Sequence, residues 1–160
     1  MILLNYGDKK IKGDSETAGF EEEVQLSSVK WGVGRAVTSK PGSSDRKFGD
    51  PAFSEISVSK KMDMASIDLF IEAAGGKKPT TAVLSWVESD SEGDPQVYHQ
   101  IELENAVISS YSSSAEGDMP KENFTLNFVT INVLFTHYPS EGDPKPISPK
   151  GWNLKTNTKL

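Results

Sequence analysis

The chain has 160 residues, with 17 Lys and Arg against 23 Asp and Glu, for a net charge of −6. That length suits one domain, and an acid excess with no Lys/Arg cluster argues against binding a nucleic-acid backbone. The chain has no cysteine, which excludes disulfides, thiol nucleophiles and thiolate metal sites, and no stretch approaches the ~18 apolar residues of a membrane span.

In chain order, Met1-Ile2-Leu3-Leu4 lacks a basic region and a long apolar run, so it is not read as a signal peptide. Ile2–Leu4 and Lys9–Lys12 predict an opening hairpin around Tyr6-Gly7-Asp8. Val24 and Leu26, then Val29, Trp31 and Val33, alternate, with the apolar parity switching at Ser27-Ser28. Such a switch predicts a β-bulge that re-aims the apolar set to the other face. Residues 36–51 are mostly Ser, Gly, Pro, Lys, Arg and Asp, with Phe48 the one large apolar residue, and predict a long loop of functional interest. Phe53–Lys60 reads as a strand carrying Ile56 and Val58. A helix over about residues 66–74 follows, because Ile67, Phe70, Ile71 and Ala74 share one helical face. Ser66 or Asp63 caps its start and Gly75-Gly76 ends it.

Thr80–Val87 and Val97–Tyr111 read as strands, the second with Ile101, Leu103, Val107 and Tyr111 on one parity. Phe124, Leu126 and Phe128, then Val129, Ile131, Val133 and Phe135, predict one long strand with another parity switch. A strand of that kind suits a barrel wall or a strand shared between two sheets. Three Glu-Gly-Asp sequences read as turns. The tail, 139–160, holds four prolines and then Trp152 and Leu154, and is expected to dock on the body or on a neighbour.

The sequence offers no catalytic constellation. His99 and His137 lie in different strands with no further ligand at metal spacing. Glu102 and Glu104 share a strand face opposite Ile101 and Leu103, the pattern of a solvated stripe. There is no Gly-x-Ser-x-Gly elbow, no phosphate-binding Gly-x-x-x-x-Gly-Lys-Ser/Thr, and no regular calcium loop. No cofactor and no metal are expected.

Several segments, in order and spacing, resemble the Hcp (haemolysin-coregulated protein) family, the inner-tube subunits of bacterial type VI secretion systems. They are Ile11-Lys12-Gly13-Asp14-Ser15, with Asp14 where the family usually has Glu; Val29-Lys30-Trp31-Gly32-Val33; Ile56–Ser66; Val107–Tyr111; Glu122–Phe128; and Gly151-Trp152-Asn153-Leu154. The resemblance implies a mainly β fold, a small β-barrel of two antiparallel sheets with one flanking α-helix, over residues 1–138, followed by the docking tail. It implies a structural protein and no enzyme: a homohexameric ring that stacks into a tube, with a spike protein and a contractile sheath as partners and effectors in the lumen. It also implies residence in the bacterial cytoplasm before secretion, with neither membrane nor nucleic acid as a partner. Lys40, Arg46, Lys47 and Phe48 on the long loop, with Trp152 and Leu154 in the tail, are the expected subunit or ring contacts. The polar faces bearing Ser27, Ser57, Ser59, Gln100 and Glu102 are candidates for a lumen wall. The alternative is a secreted β-sandwich that binds carbohydrate or protein on an aromatic platform of Trp86 and Tyr98.

Overall fold

The computed structural model describes residues 1–39, 42, 44–140 and 142–160. Its strands are β1 (Ile2–Tyr6), β2 (Val24–Leu26), β3 (Ser28–Lys30), β4 (Val33–Gly34), β5 (Val37–Ser39), β6 (Arg46–Phe48), β7 (Ala52–Phe53) and β8 (Ile56–Lys61). The helix α1 (Ser66–Gly75) follows, then β9 (Thr80–Ser89), β10 (Pro95–Ser114), β11 (Lys121–Asn127), β12 (Thr130–His137), β13 (Lys145–Asn153) and β14 (Thr158–Lys159). The molecule is therefore mainly β with one short helix, and every strand ladder is antiparallel. Among the described residues no helix is long and apolar enough to cross a membrane.

Ten strands form one hydrogen-bonded network folded into two layers. The first layer runs β2-β1-β9-β10-β12-β13-β14 and the second β10-β11-β8-β3. Strand β10, 20 residues long, belongs to both. Its first half pairs with β9 and β12, and its second half with β11. The ladders do not close into a continuous barrel. Between β2 and β8 the only bridge is the corner at Ser27, whose N–H donates to the Ser59 carbonyl at 2.7 Å.

The parity switches in the sequence mark the places where the chain passes between layers. At Ser27 the chain leaves β1 and joins β8, so the expected single bulged strand is two short strands. At Phe128-Val129 it leaves the second layer for the first, so the expected fifteen-residue strand is split into β11 and β12. The strand shared between layers is β10 instead. Its own switch went unread in the sequence: Ile101 and Leu103 are buried on odd numbers, then Ala106 and Ile108 on even ones. The change happens at Asn105, which has φ of 52°, where the register with β9 also shifts. Asn tolerates this left-handed conformation better than most side chains. The opening hairpin is reduced to β1 and a single bridge from Tyr6 to Ile11, because β1 spends its two edges on β2 and β9.

The core lies between the layers. Leu4, Val24, Leu84, Ile101 and Leu103 of the first layer meet Ile56, Val58, Phe124 and Leu126 of the second. The helix packs across this core with Leu69 and Ser66 inward. Its apolar stripe faces the other way: Ile67, Phe70 and Ile71 are each at least half exposed. The face that Ile67, Phe70 and Ile71 share is thus turned to solvent.

The cause is a polar anchor at the helix start. The Lys60 ammonium, wholly buried, donates to Glu122 Oε2 at 2.8 Å, Asp63 Oδ1 at 2.7 Å, Ser66 Oγ at 3.3 Å and the Lys61 carbonyl at 2.7 Å. Ser66 Oγ also donates to Glu122 Oε2, and the Tyr111 hydroxyl donates to Glu122 Oε1. The Asp63 carboxylate accepts the Ala65 N–H at 2.9 Å, but the helix N-cap is Ala65 and has no side-chain cap hydrogen bond, so neither Asp63 nor Ser66 caps α1 as expected. Burying Ile67 by turning the helix would tear Ser66 from this network and leave a buried charge pair short of partners, which is costly.

Candidate functional site

In the first layer, residues directly opposite across strands share a face. Three rows of the inward face can be followed. One runs Tyr6–Ala82–Leu103–Ile131–Trp152, the next Leu4–Leu84–Ile101–Val133–Lys150, and the third Ile2–Trp86–His99–Phe135–Ile147. The β1, β9 and β10 members of the first two rows are buried; toward β12 and β13, and along the third row, burial fades. Phe135 and Ile147 are 47% and 53% exposed. The first layer thus overruns the second, and its inward face continues as an open apolar shelf.

An arm crosses one end of this shelf. Residues 31–39 and 44–54 are not wholly irregular: they form an arm of two short antiparallel ladders, with β4 paired to β7 at its root and β5 to β6 beyond. The Ser54 N–H donates to the Gly32 carbonyl, and the Gly32 N–H to Ser54 Oγ, at 2.9 Å each. Trp31, Val33 and Phe53 lie over Ile131, Val133 and Trp152. Between Val33, Arg35, Pro51, Phe53 and Trp152 there is an apolar groove of about 440 Å³. Farther out, every residue of β5 and β6 is exposed. Val37 and Phe48 are partners in this ladder, and the Arg35 guanidinium lies 4.3 Å over the Phe48 ring.

Of the contact residues expected from sequence, Arg46, Lys47 and Phe48 stand together on β6, all solvent-facing. Lys40 lies outside the described residues. Trp152 and Leu154 are partly buried against the core, away from β6. The Leu154 N–H donates to the Val129 carbonyl at 2.8 Å. The tail therefore contributes a strand, β13, hydrogen-bonded to β12. The Trp152 indole N–H is buried with no acceptor among the described residues. Trp31, Val33 and Phe135 continue the alternation of the sequence and yet are exposed. The one signal of this is that the alternation on β12 continues beyond the length of its neighbours in the second layer.

The outer face of the second layer is chemically different. Two cross-strand rows, Lys30–Ser57–Thr125–Ser110 and Ser28–Ser59–Asn123–Ser112, are polar throughout. They line a shallow cleft of about 370 Å³. Ser57 and Ser59 fall here; Ser27 sits at the corner; Gln100, which donates to Ser85 Oγ, and Glu102 belong to the outer face of the other layer.

Titratable groups respond to burial and partners. Burial pushes the Glu122 carboxyl up, but hydrogen bonds from Lys60, Tyr111 and Ser66 outweigh it and hold the group below the ordinary carboxylate value. Burial and the bond to Glu122 push the Tyr111 hydroxyl up to about 12. Burial and Glu72 likewise push Tyr6 to about 12. Glu23 is raised by burial, and its Oε2 has no partner among the described residues.

His99 Nδ1 bonds the Leu134 carbonyl at 2.9 Å, and its ring packs on Trp86. His137 is at the far end of β12. Trp86 is therefore covered by His99 and, like Tyr98, only partly exposed, which leaves no open aromatic platform there. Among the described residues no cluster of three metal-ligating side chains occurs.

A family model described as type VI secretion system effector, Hcp, matches residues 4–135. The chain belongs to the Hcp family. Solved structures agree on the fold. One titled as a type six secretion system protein is 22% identical, with a TM-score of 0.87 and coverage of 99% of this chain and 98% of that one. Hcp1 from Salmonella typhimurium is also 22% identical, with a TM-score of 0.75 and coverage of 99% and 97%. The secreted protein Hcp3 from Pseudomonas aeruginosa is 16% identical, with a TM-score of 0.60 and coverage of 96% and 99%. No curated protein sequence matches the chain.

Proposed function

We propose that this Hcp-family chain is a tube subunit of a type VI secretion system: copies close into a hexameric ring, rings stack, and the tube is expelled with a spike protein at its tip by a contractile sheath. The observation that carries this reading is the arm. An isolated two-stranded hairpin is marginal in water. This one exposes Val37 and Phe48, and every residue of β5 and β6 faces solvent. Such an element is suited to a contact made by another copy. Arg46, Lys47 and Phe48 are its contact residues, and Lys40 belongs to the same segment. Trp152 and Leu154 brace the surface from which it springs, and the unpaired Trp152 indole N–H supports an acceptor supplied from outside the chain.

The hydroxyl- and amide-rich outer face of the second layer supports a lumen wall. It offers weak, wet contacts to a passing effector and little apolar surface to hold it. The subunit resides in the bacterial cytoplasm before firing and outside the cell afterwards, and it performs no catalysis of its own. Native mass spectrometry and electron microscopy test the reading together. A sixfold mass with annular particles is expected; a monomer under every buffer condition overturns it and favours the binding-module alternative.

A further inference from the structure

Two hollows at the root of the arm join into one trough. The groove of about 440 Å³ adjoins a second hollow of about 170 Å³, and the two share Val33, Phe53 and Trp152 as walls. Arg35 lines the larger part. Lys150 lines the smaller, where Trp31 and Val133 complete the wall. A concave, mostly apolar surface of a few hundred Å³ with a small number of polar groups is the ordinary form of a small-molecule site.

The chemistry of this trough is one-sided. Its walls are aromatic and aliphatic, and every polar side chain that lines it is a donor: the Arg35 guanidinium, the Lys150 ammonium and the indoles of Trp31 and Trp152. No carboxylate lines it. The acid nearest in sequence, Asp50, spends Oδ1 on the Asn157 amide at 2.9 Å. Lys159, the ladder partner of Trp152, adds a further cation on the β14 side. Among the described residues neither Arg35 nor Lys150 stands in an ion pair. A positively bordered trough thus sits on a chain of net charge −6. The Trp152 indole N–H, buried without an acceptor, is a further donor left over, and buried indoles usually find a partner. The Arg35 guanidinium lies 4.3 Å over the Phe48 ring. Stacking of this kind occupies the face of the group and leaves its edge free for a carboxylate.

We infer that the trough binds an alkyl carboxylate, a fatty acid of medium chain length, with its head on Arg35 and its chain against Val33, Phe53 and Trp152. The apolar walls take the chain, and the donors without acceptors take the anion. A cationic amphiphile meets like charge at this site, and a sugar finds no side-chain acceptor for its hydroxyls. The inference goes beyond the tube-subunit reading and does not depend on it.

Tryptophan emission makes the test direct. Trp86 lies outside the trough, so in a Trp86→Phe chain both remaining indoles line it. Titrating decanoate into the purified chain in that background is expected to shift the emission and saturate, with calorimetry on wild type giving the same affinity. Arg35→Gln is expected to weaken binding about tenfold, and Lys150→Gln about threefold. Both side chains are exposed, so the melting midpoints stay where they were. Decanol is expected to bind about tenfold more weakly than decanoate, and decyltrimethylammonium not to saturate. Equal responses to all three amphiphiles mean adsorption to apolar surface and overturn the inference. So does wild-type affinity in Arg35→Gln, or calorimetry that finds no binding of decanoate to wild type.

Discussion

The start of α1 and the arm treat polarity in opposite ways. At the helix start a lysine and a glutamate, both wholly buried, are satisfied by neighbours on β8, β10, β11 and α1. In the arm, valine and phenylalanine stand in water with no cover from the chain's own layers. A buried ion pair is a poor source of net stability, yet removing one partner is expensive. The first region thus fixes geometry within one chain, and the second leaves its apolar surface open to solvent.

The largest expected effect comes from breaking the anchor. Lys60→Met leaves Glu122 buried without its counter-ion and should cost about 3–5 kcal/mol in urea denaturation, with the double variant Lys60→Met/Glu122→Leu recovering much of the loss. The same anchor sets an acid limit. Because the folded Glu122 pKa lies below its ordinary value of 4.5, its contribution is complete above that value and is lost as pH falls through the folded one. In thermal melts from about pH 6 to about pH 3, roughly 1.5 units either side of an ordinary carboxylate, the loss of stability with falling pH should be steeper in wild type than in Glu122→Gln.

Next in size is the helix. Leu69→Ala should cost about 2–5 kcal/mol, since Leu69 is fully buried. Ile67→Ser and Ile71→Ser should each stay within about 0.5 kcal/mol in the monomer, because both side chains already face solvent. Equal losses at Leu69 and Ile71 would mean that the helix is turned the other way. A smaller gain is expected at Glu23. Its folded pKa is raised, so its stabilising contribution is lost as pH rises through that value, and at neutral pH it sits as a buried carboxylate with an unpaired oxygen. Glu23→Gln should add about 1 kcal/mol near pH 7 and little at pH 4.

The smallest effect on stability belongs to the arm. Replacing residues 37–48 with Asn-Gly closes a short hairpin where the Gly49 N–H already donates to the Ala36 carbonyl at 2.8 Å. The melting midpoint should move by no more than about 0.5 kcal/mol allows, while assembly measured by sedimentation should be lost. A large drop in monomer stability would make the arm part of the core and erase the contrast.

Much of this fold was legible because alternation is a strong signal. The helix, the strands around Ile56, Leu84 and Phe124, and the layer changes at Ser27 and Phe128 all follow from it. What stayed hidden depended on residues distant in sequence. The helix stripe Ile67, Phe70, Ile71 obeys the helical period, yet a period does not say which face turns inward. That was decided by Lys60 and Glu122, 62 positions apart. The arm hid for a different reason. Its ladders are two or three residues long and sit in a segment with many Gly, Ser and Pro, so nothing local distinguishes them from a loop. The shelf end was misread because Phe135 alternates correctly, and only the shorter span of the second layer leaves it uncovered.

Strand β10 carries a mechanical consequence. Its first half is an inner strand of the first layer, between β9 and β12, and its second half is the edge strand of the second layer, paired with β11, so one backbone ties the two layers together. A pull applied to β13 reaches β11 through one unbroken backbone, and slow amide exchange should span both layers as a single cooperative block. A force on one layer is therefore passed to the other along this strand, while the unladdered corner at Ser27 is the weaker junction.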